Sequence, residues 1–350
     1  MAFPDHSQRA LISRYFGLAK CTVLPPHDLF HPVLPYRHAG KLTFPLCASC
    51  VTEEMSKPFL ERTPVCTHTD SERQCVGTWC TPELLKAIEK GYTVVCVHEV
   101  WHFPITHRGL FKDYVNMWLK IKEEASGWPS DVGNDSLKRQ QHLDDYRDKE
   151  GIELDPEKIE KNPGLRTLAK MMLNSMWGKF GQRTNKTLDW EFDDPQKFST
   201  FSNSDTLQIK YVGIQSDDRV EVQNTLQEED ESISPNLNIF MACSTTCWAC
   251  LKLYDALDKL KEQVLYKDMA SVVFLSKGMP DPPLGDYLED FKDELPPDDF
   301  IVEFASGGPK NYGYKPSKVK RNVKSEVSCS IDRGRDTSIS KSSRTTYWKT

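Results

Sequence analysis

The chain has 350 residues, with 51 acidic against 45 basic side chains and a formal net charge of −6. That length allows two or three domains, and a hydrophobic content of 38% with 16 Phe, 12 Tyr and 8 Trp excludes a wholly disordered chain. No apolar run approaches the roughly 18 residues of a membrane helix, and MAFPDHSQRA lacks a basic-then-apolar secretory signal, so an intracellular protein without a membrane partner is expected, with the nucleus as a candidate compartment.

In chain order, 15–24 and 41–46 read as extended. The pattern predicts a helix over 81–90, with Thr81 as cap, Pro82 at the first helical position and Gly91 as the stop. Residues 93–97 are β-rich. A second helix is predicted over 110–124, with apolar residues at 110, 111, 115, 118, 119 and 121. The stretch 129–160 is polar, and its charge-rich run 138–150 reads as a linker or an exposed helix. The next helix covers 162–177. Residues 206–213 and 219–222 read as a hairpin around Ser216, Asp217 and Asp218, and 228–231 as an acidic loop. A long helix is predicted over 238–262, then two short strands, 264–266 and 271–275, with a tight turn between them. No internal repeat is visible.

Charge is unevenly spread. Residues 317–350 hold nine Lys/Arg and three Asp/Glu, so this tail carries +6 and the remainder −12. The tail lacks periodicity and is expected to be poorly ordered. An acidic body does not exclude nucleic-acid binding, which depends on a local basic groove.

Four segments carry candidate chemistry. In LRTLAKMMLNSMWGKFGQ, residues 165–182, Arg166, Lys170, Asn174 and Gly178 recur every four residues and share one helix face. The Leu and Met positions are expected to pack inward. Two cations one turn apart can grip a polyphosphate. Trp177 can stack on a base, and Gly178 leaves room for a base pair. The alternative is an amphipathic helix with a solvated basic face. In VLYKDMASVVF, residues 264–274, a tight hairpin would project Asp268 into a cleft; the alternative is a plain β-turn. In SGGPKNY, residues 306–312, Gly307 and Gly308 let the backbone approach a phosphate and Lys310 supplies charge, unless this is a surface turn.

The cysteines form the fourth group. Eleven Cys without a secretory signal argue against a disulfide framework. Cys47-x2-Cys50-x15-Cys66-x-His68 offers four soft ligands of the kind tetrahedral zinc uses. Cys75 or Cys80 could substitute for one of them, and incidental cysteines in a loop are the alternative. Cys243, Cys247 and Cys250 read as core packing on the long helix.

The order Lys-x3-Asn-Ser-x-aromatic-Gly resembles motif B of family B DNA polymerases. The extended NSMWGKFGQR is similar to the protein-primed branch of viruses, organelle plasmids and Polinton-type transposons. The resemblance implies that Lys170 holds the triphosphate, that Asn174, Ser175 and Gly178 shape the nucleotide pocket, and that Trp177 replaces a stacking Tyr. Arg166 joins them from the helix face alone. The 264–274 segment resembles motif C, Tyr-x-Asp-Thr-Asp-Ser. Asp268 matches its first Asp, a Mg²⁺ ligand and catalytic residue in that family, and Ser271 its Ser; Met269 replaces Thr and Ala270 the second Asp. Lys310 and Tyr312 resemble the Lys-x-Tyr element that contacts the primer end. Residues 15–47 resemble the segment downstream of motif A in Polinton-type enzymes. Motif A itself, Asp-x-x-Ser-Leu-Tyr-Pro, is not found, so the sequence is expected to begin just after it, without the proofreading exonuclease.

The resemblance spans roughly 15–315. It implies an α+β fold: a polymerase palm with an antiparallel sheet, a helical fingers segment and a partial thumb. Residues 1–14 stay unassigned. Residues 15–149 would be palm and insertion, with the candidate zinc knuckle at 47–68. Residues 150–183 would be fingers, 184–303 palm with a degenerate motif C, and 304–350 the start of a thumb with a basic tail. The implied activity is DNA-directed DNA polymerisation in replication, nucleotidyl transfer from a dNTP to a DNA 3′-hydroxyl. Its partners would be primer–template DNA, a dNTP and a priming protein. Two divalent ions serve that reaction, and Ala270 offers no oxygen ligand, so activity is expected to be lost or severely impaired. The alternatives are a non-catalytic DNA-binding protein derived from a mobile element, and a decayed product prone to aggregate at an unpaired sheet edge.

Overall fold

The computed structural model describes residues 5–56, 65–129, 132–216, 218–227, 237–268, 271–276, 281–285, 287–288, 290–296, 299–308, 310–318, 322–325 and 343–348. Met269, Ala270 and the acidic loop 228–231 lie outside the described residues. The chain divides into two units, 1–174 with 243–350, and 175–242.

The first core forms around one strand. Helix α1 (Asp5–Ile12) ends in the buried Ile12 and leads into β1 (Gly17–Leu24), whose alternate residues Ala19, Cys21 and Val23 are fully buried. A small hairpin, β2 (Tyr36–His38) with β3 (Lys41–Thr43), precedes α2 (Ala48–Ser56) and α3 (Asp70–Arg73). Strand β4 (Cys75–Cys80) and strand β5 (Thr93–His102) flank β1 on either side, both antiparallel. Helix α4 (Thr81–Glu89) lays Leu84, Ala87 and Ile88 on this sheet. A Cβ on Gly17 would sit 1.9 Å from the Trp101 carbonyl oxygen, so only glycine lets β1 and β5 meet there.

The cap of α4 differs from the sequence expectation. Cys80, not Thr81, is the capping residue, and the Glu83 carboxylate accepts the Cys80 N–H at 3.3 Å. The Thr81 hydroxyl is used elsewhere, accepting the Gly17 N–H at 3.1 Å. A tertiary contact thus overrides the local capping preference of threonine.

Arg73 is buried to 2% exposure and ties this region together. Its guanidinium donates to the carbonyls of Pro25 at 2.8 Å, Pro26 at 2.9 Å and Leu46 at 3.3 Å. It also donates to Asp70 at 3.1 Å and to the His27 ring at 2.7 Å.

Helix α5 (Lys112–Glu124) and helix α6 (Ser136–Glu150) enclose a separate cluster of Leu119, Tyr146, Ile152, Leu154 and Ile159. The charge-rich run is therefore an exposed helix with one buried side chain, Tyr146. Asp135 caps its start, and Gly151, in the left-handed region at φ 67°, ends it. Helix α7 (Pro163–Phe180) comes next.

In the 175–242 unit, strands β6 (Leu188–Phe192), β7 (Leu207–Ser216) and β8 (Arg219–Leu226) form an antiparallel sheet in the order β6-β8-β7. Helix α8 (Pro195–Ser202) covers it through Phe198 and Phe201 against Phe192.

Helix α9 (Ile239–Leu260) returns to the first core. Tyr254 inserts there, its hydroxyl donating to the His31 carbonyl at 2.7 Å. Ion pairs Lys86–Asp255 at 3.0 Å and Lys90–Asp258 at 2.7 Å fasten α9 to α4. After a 3₁₀ turn come β9 (Val264–Asp268) and β10 (Ser271–Leu275), an antiparallel pair. They join β11 (Phe291–Asp293), β12 (Ile301–Gly308), β13 (Asn311–Pro316), β14 (Asn322–Ser325) and β15 (Ser343–Trp348) in one sheet of order β14-β13-β12-β15-β10-β9, with β11 on β15. The tail thus contributes two strands among its described residues. Helices and small antiparallel sheets together make the mixed α and β class that the sequence suggests.

Replacing Arg73 by Met leaves three carbonyls without a donor in a buried site. We expect a loss of about 3 kcal/mol or more, read from urea unfolding monitored by circular dichroism. An unchanged midpoint would show that water replaces the guanidinium.

Candidate functional site

Two constellations bring together residues that are distant in sequence. The first is built on α2. Cys47 precedes that helix and Cys50 lies in its first turn, so the Cys50 N–H donates to the Cys47 sulfur at 3.4 Å. The His68 Nδ1 lies 3.5 Å from Cys47 Sγ, 3.4 Å from Cys50 Sγ and 3.7 Å from Cys66 Sγ. All four ligand atoms fall within 4.8 Å of one another. A tetrahedral ion with a sulfur bond of about 2.3 Å and a nitrogen bond of about 2.0 Å spans S···N edges of about 3.5 Å. The observed edges fit that figure.

The far side of the His68 ring is also fixed, its Nε2 lying 2.9 Å from the Glu53 carboxylate. A carboxylate there sets ring orientation and raises ligand basicity; this hydrogen bond, helped by Cys66, holds the His68 pKa above its usual value. Burial pushes the Cys66 thiol up, but hydrogen bonds from His68 and the neighbouring thiols outweigh it and bring it to about 7. Burial and the other two thiols push Cys50 up to about 12. The alternative ligands are placed elsewhere: Cys75 is buried in the first core, and Cys80 lies with Glu83 and Cys247.

The second constellation is at the β9–β10 turn. Asp268 ends β9 opposite Ser271. Side chains alternate along the strand, so Tyr266 and Asp268 share a face. Lys267 points the other way, its ammonium 4.9 Å from the Phe44 ring centre, and burial lowers its pKa. The loop between β12 and β13 reaches the Tyr266–Asp268 face. The Lys310 ammonium pairs with the Asp268 carboxylate, and the Lys310 N–H donates to the Tyr266 hydroxyl at 2.9 Å. Tyr312 packs its ring 4.8 Å from that of Tyr266. Lys310 adopts φ 61°, a left-handed conformation unusual for a lysine.

Asp268, Lys310 and Tyr312 therefore gather around Tyr266. Tyr266 escaped sequence reasoning, although its place two residues before Asp268 signalled a shared face. Glu53 carried no such signal. The described residues do not fit a magnesium site: Asp268 belongs to no group of three candidate ligands among them, and an ammonium already holds its carboxylate.

Helix α7 presents Arg166, Lys170 and Asn174 exposed on one face. Arg166 donates to the Ser126 hydroxyl at 3.1 Å, whereas neither Lys170 nor Asn174 has a side-chain hydrogen bond or ion pair among the described residues. Ser175, Trp177 and Gly178 continue on the last turns, and a Cβ on Gly178 would meet nothing within 4 Å. The inward packing expected of the Leu and Met positions is corrected. Leu165, Leu168 and Met171 are exposed, while Ala169 is buried and Leu173 packs on the α5–α6 cluster. The apolar arc of this helix is wider than the core it faces.

No known protein family matches this sequence, and neither a curated protein nor a solved structure shows significant similarity to it.

The Glu53–His68 contact makes a direct prediction. Glu53→Ala leaves all four ligands in place and should weaken Co²⁺ binding at this cluster by about 10- to 100-fold in competition with a chelator. Unchanged affinity would show that the carboxylate does not orient the ring.

Proposed function

We propose that the chain acts on nucleic acid as a protein of the protein-primed family B DNA polymerase type. It would hold primer–template DNA with Lys310 and Tyr312 at the primer end and Asp268 beside them. Lys170 would hold the dNTP triphosphate, with Asn174, Ser175, Trp177 and Gly178 around the nucleotide. In this reading 15–149 and 184–303 are palm, 150–183 fingers and 304–350 the start of a thumb.

The observation that carries the reading is the meeting of Lys310 with Asp268. The two are 42 residues apart in sequence, and each belongs to a different motif. A lysine in the left-handed region costs about 1–2 kcal/mol, and such outliers cluster where function holds them. Here the Tyr266 hydroxyl and the Asp268 carboxylate hold it. A half-exposed ammonium can leave Asp268 for a DNA phosphate and release counterions.

Binding does not require catalysis. Ala270 stands where the family carries its second carboxylate. The pairing of Asp268 with Lys310 favours the non-catalytic variant of this reading, a DNA-binding protein derived from a mobile element. The Cys47, Cys50, Cys66 and His68 cluster is read as structural zinc, because four protein ligands close its coordination.

Fluorescence anisotropy on a labelled primer–template tests the reading. Affinity should fall with salt, and Lys310→Gly should weaken it several-fold and lower the salt slope by about 1. Folding stability should shift by less than about 1 kcal/mol, because relief of the left-handed strain offsets loss of a surface ion pair. Equal affinities for the two proteins would overturn the assignment. Primer extension with Mg²⁺ should be absent or marginal. Extension abolished by Lys170→Ala would show that other carboxylates serve the chemistry.

A further inference from the structure

Away from both constellations, α9 meets the start of α4 at a second cluster of ligand-bearing side chains. Cys80, Glu83 and Cys247 are 4%, 9% and 1% exposed, and their ligand atoms all lie within 4.8 Å of one another. Cys80 caps α4, and the Glu83 backbone N–H is directed at the sulfurs of both Cys80 and Cys247.

The Glu83 carboxylate accepts one backbone N–H, from Cys80 at 3.3 Å, and no Lys, Arg or His pairs with it among the described residues. A buried carboxylate next to two thiols is costly without a cation.

We propose that Cys80, Glu83 and Cys247 bind a zinc-type divalent ion. Two sulfurs with one carboxylate select a borderline-soft ion over Mg²⁺ or Ca²⁺. The ion neutralises Glu83 and bolts α9 onto α4. Helix α9 leads through a single 3₁₀ turn to β9, so the second centre would stiffen the support of Asp268. This inference does not depend on DNA binding.

The test is metal content of the purified full chain by mass spectrometry, with Zn²⁺ present during expression. Two ions per chain are expected in the unaltered protein. Cys247→Ser and Glu83→Gln should each retain one, held by the Cys47 cluster, and Glu83→Gln keeps an acceptor for the Cys80 N–H so that the fold survives. Co²⁺ substitution should show a matching drop in thiolate charge-transfer absorption in both variants. One ion per chain already in the unaltered protein, with the same content in both variants, would overturn the proposal. So would two ions unchanged by either, or a Cys80–Cys247 disulfide found by alkylation mapping.

Discussion

The buried guanidinium of Arg73 is the joint on which the first unit hangs. It gathers the chain leaving β1, at Pro25 and Pro26, and the residue before Cys47, at Leu46. It also sits two residues before the buried Cys75 that opens β4. One planar group with five donors can serve several carbonyls at once. Through it the Cys/His cluster is registered against the β4-β1-β5 sheet.

From that sheet, order passes to the second constellation through α9. Tyr254 and two ion pairs lock the helix onto the first core, and Leu253, Leu257 and Leu260 pack under β10. Asp268 is thereby delivered at the end of an edge strand. The energies at Lys310 are nearly balanced. A half-exposed ion pair is worth no more than about 1 kcal/mol, and the left-handed backbone costs about as much. In the proposed DNA-binding reading, exchange of Asp268 for a phosphate would cost no more than that surface ion pair.

Much of this was legible in the sequence, for local reasons. The Cys47–Cys50 spacing puts two sulfurs on one helical turn, and the β-rich runs around Asp268 set a hairpin. What was hidden comes from tertiary contact. Gly17 takes the Thr81 hydroxyl and moves the cap of α4 to Cys80. The inward face of α7 was overstated because periodicity marks an apolar arc but not how much of it finds a partner. Glu53 and the Cys80–Glu83–Cys247 group had no sequence signal strong enough to name them, whereas Tyr266 was marked by its place two residues before Asp268. Each acquires meaning from a partner elsewhere in the fold.

The most direct measurement places the primer end. A primer–template with a photoreactive 3′-terminal base is bound to the full chain, irradiated, and the cross-linked peptides are sequenced. The account predicts cross-links to the peptide bearing Lys310 and Tyr312, lost when a large excess of unlabelled primer–template competes. Cross-links confined to the basic segment beyond Lys318 would contradict it, because DNA would then be held by charge alone.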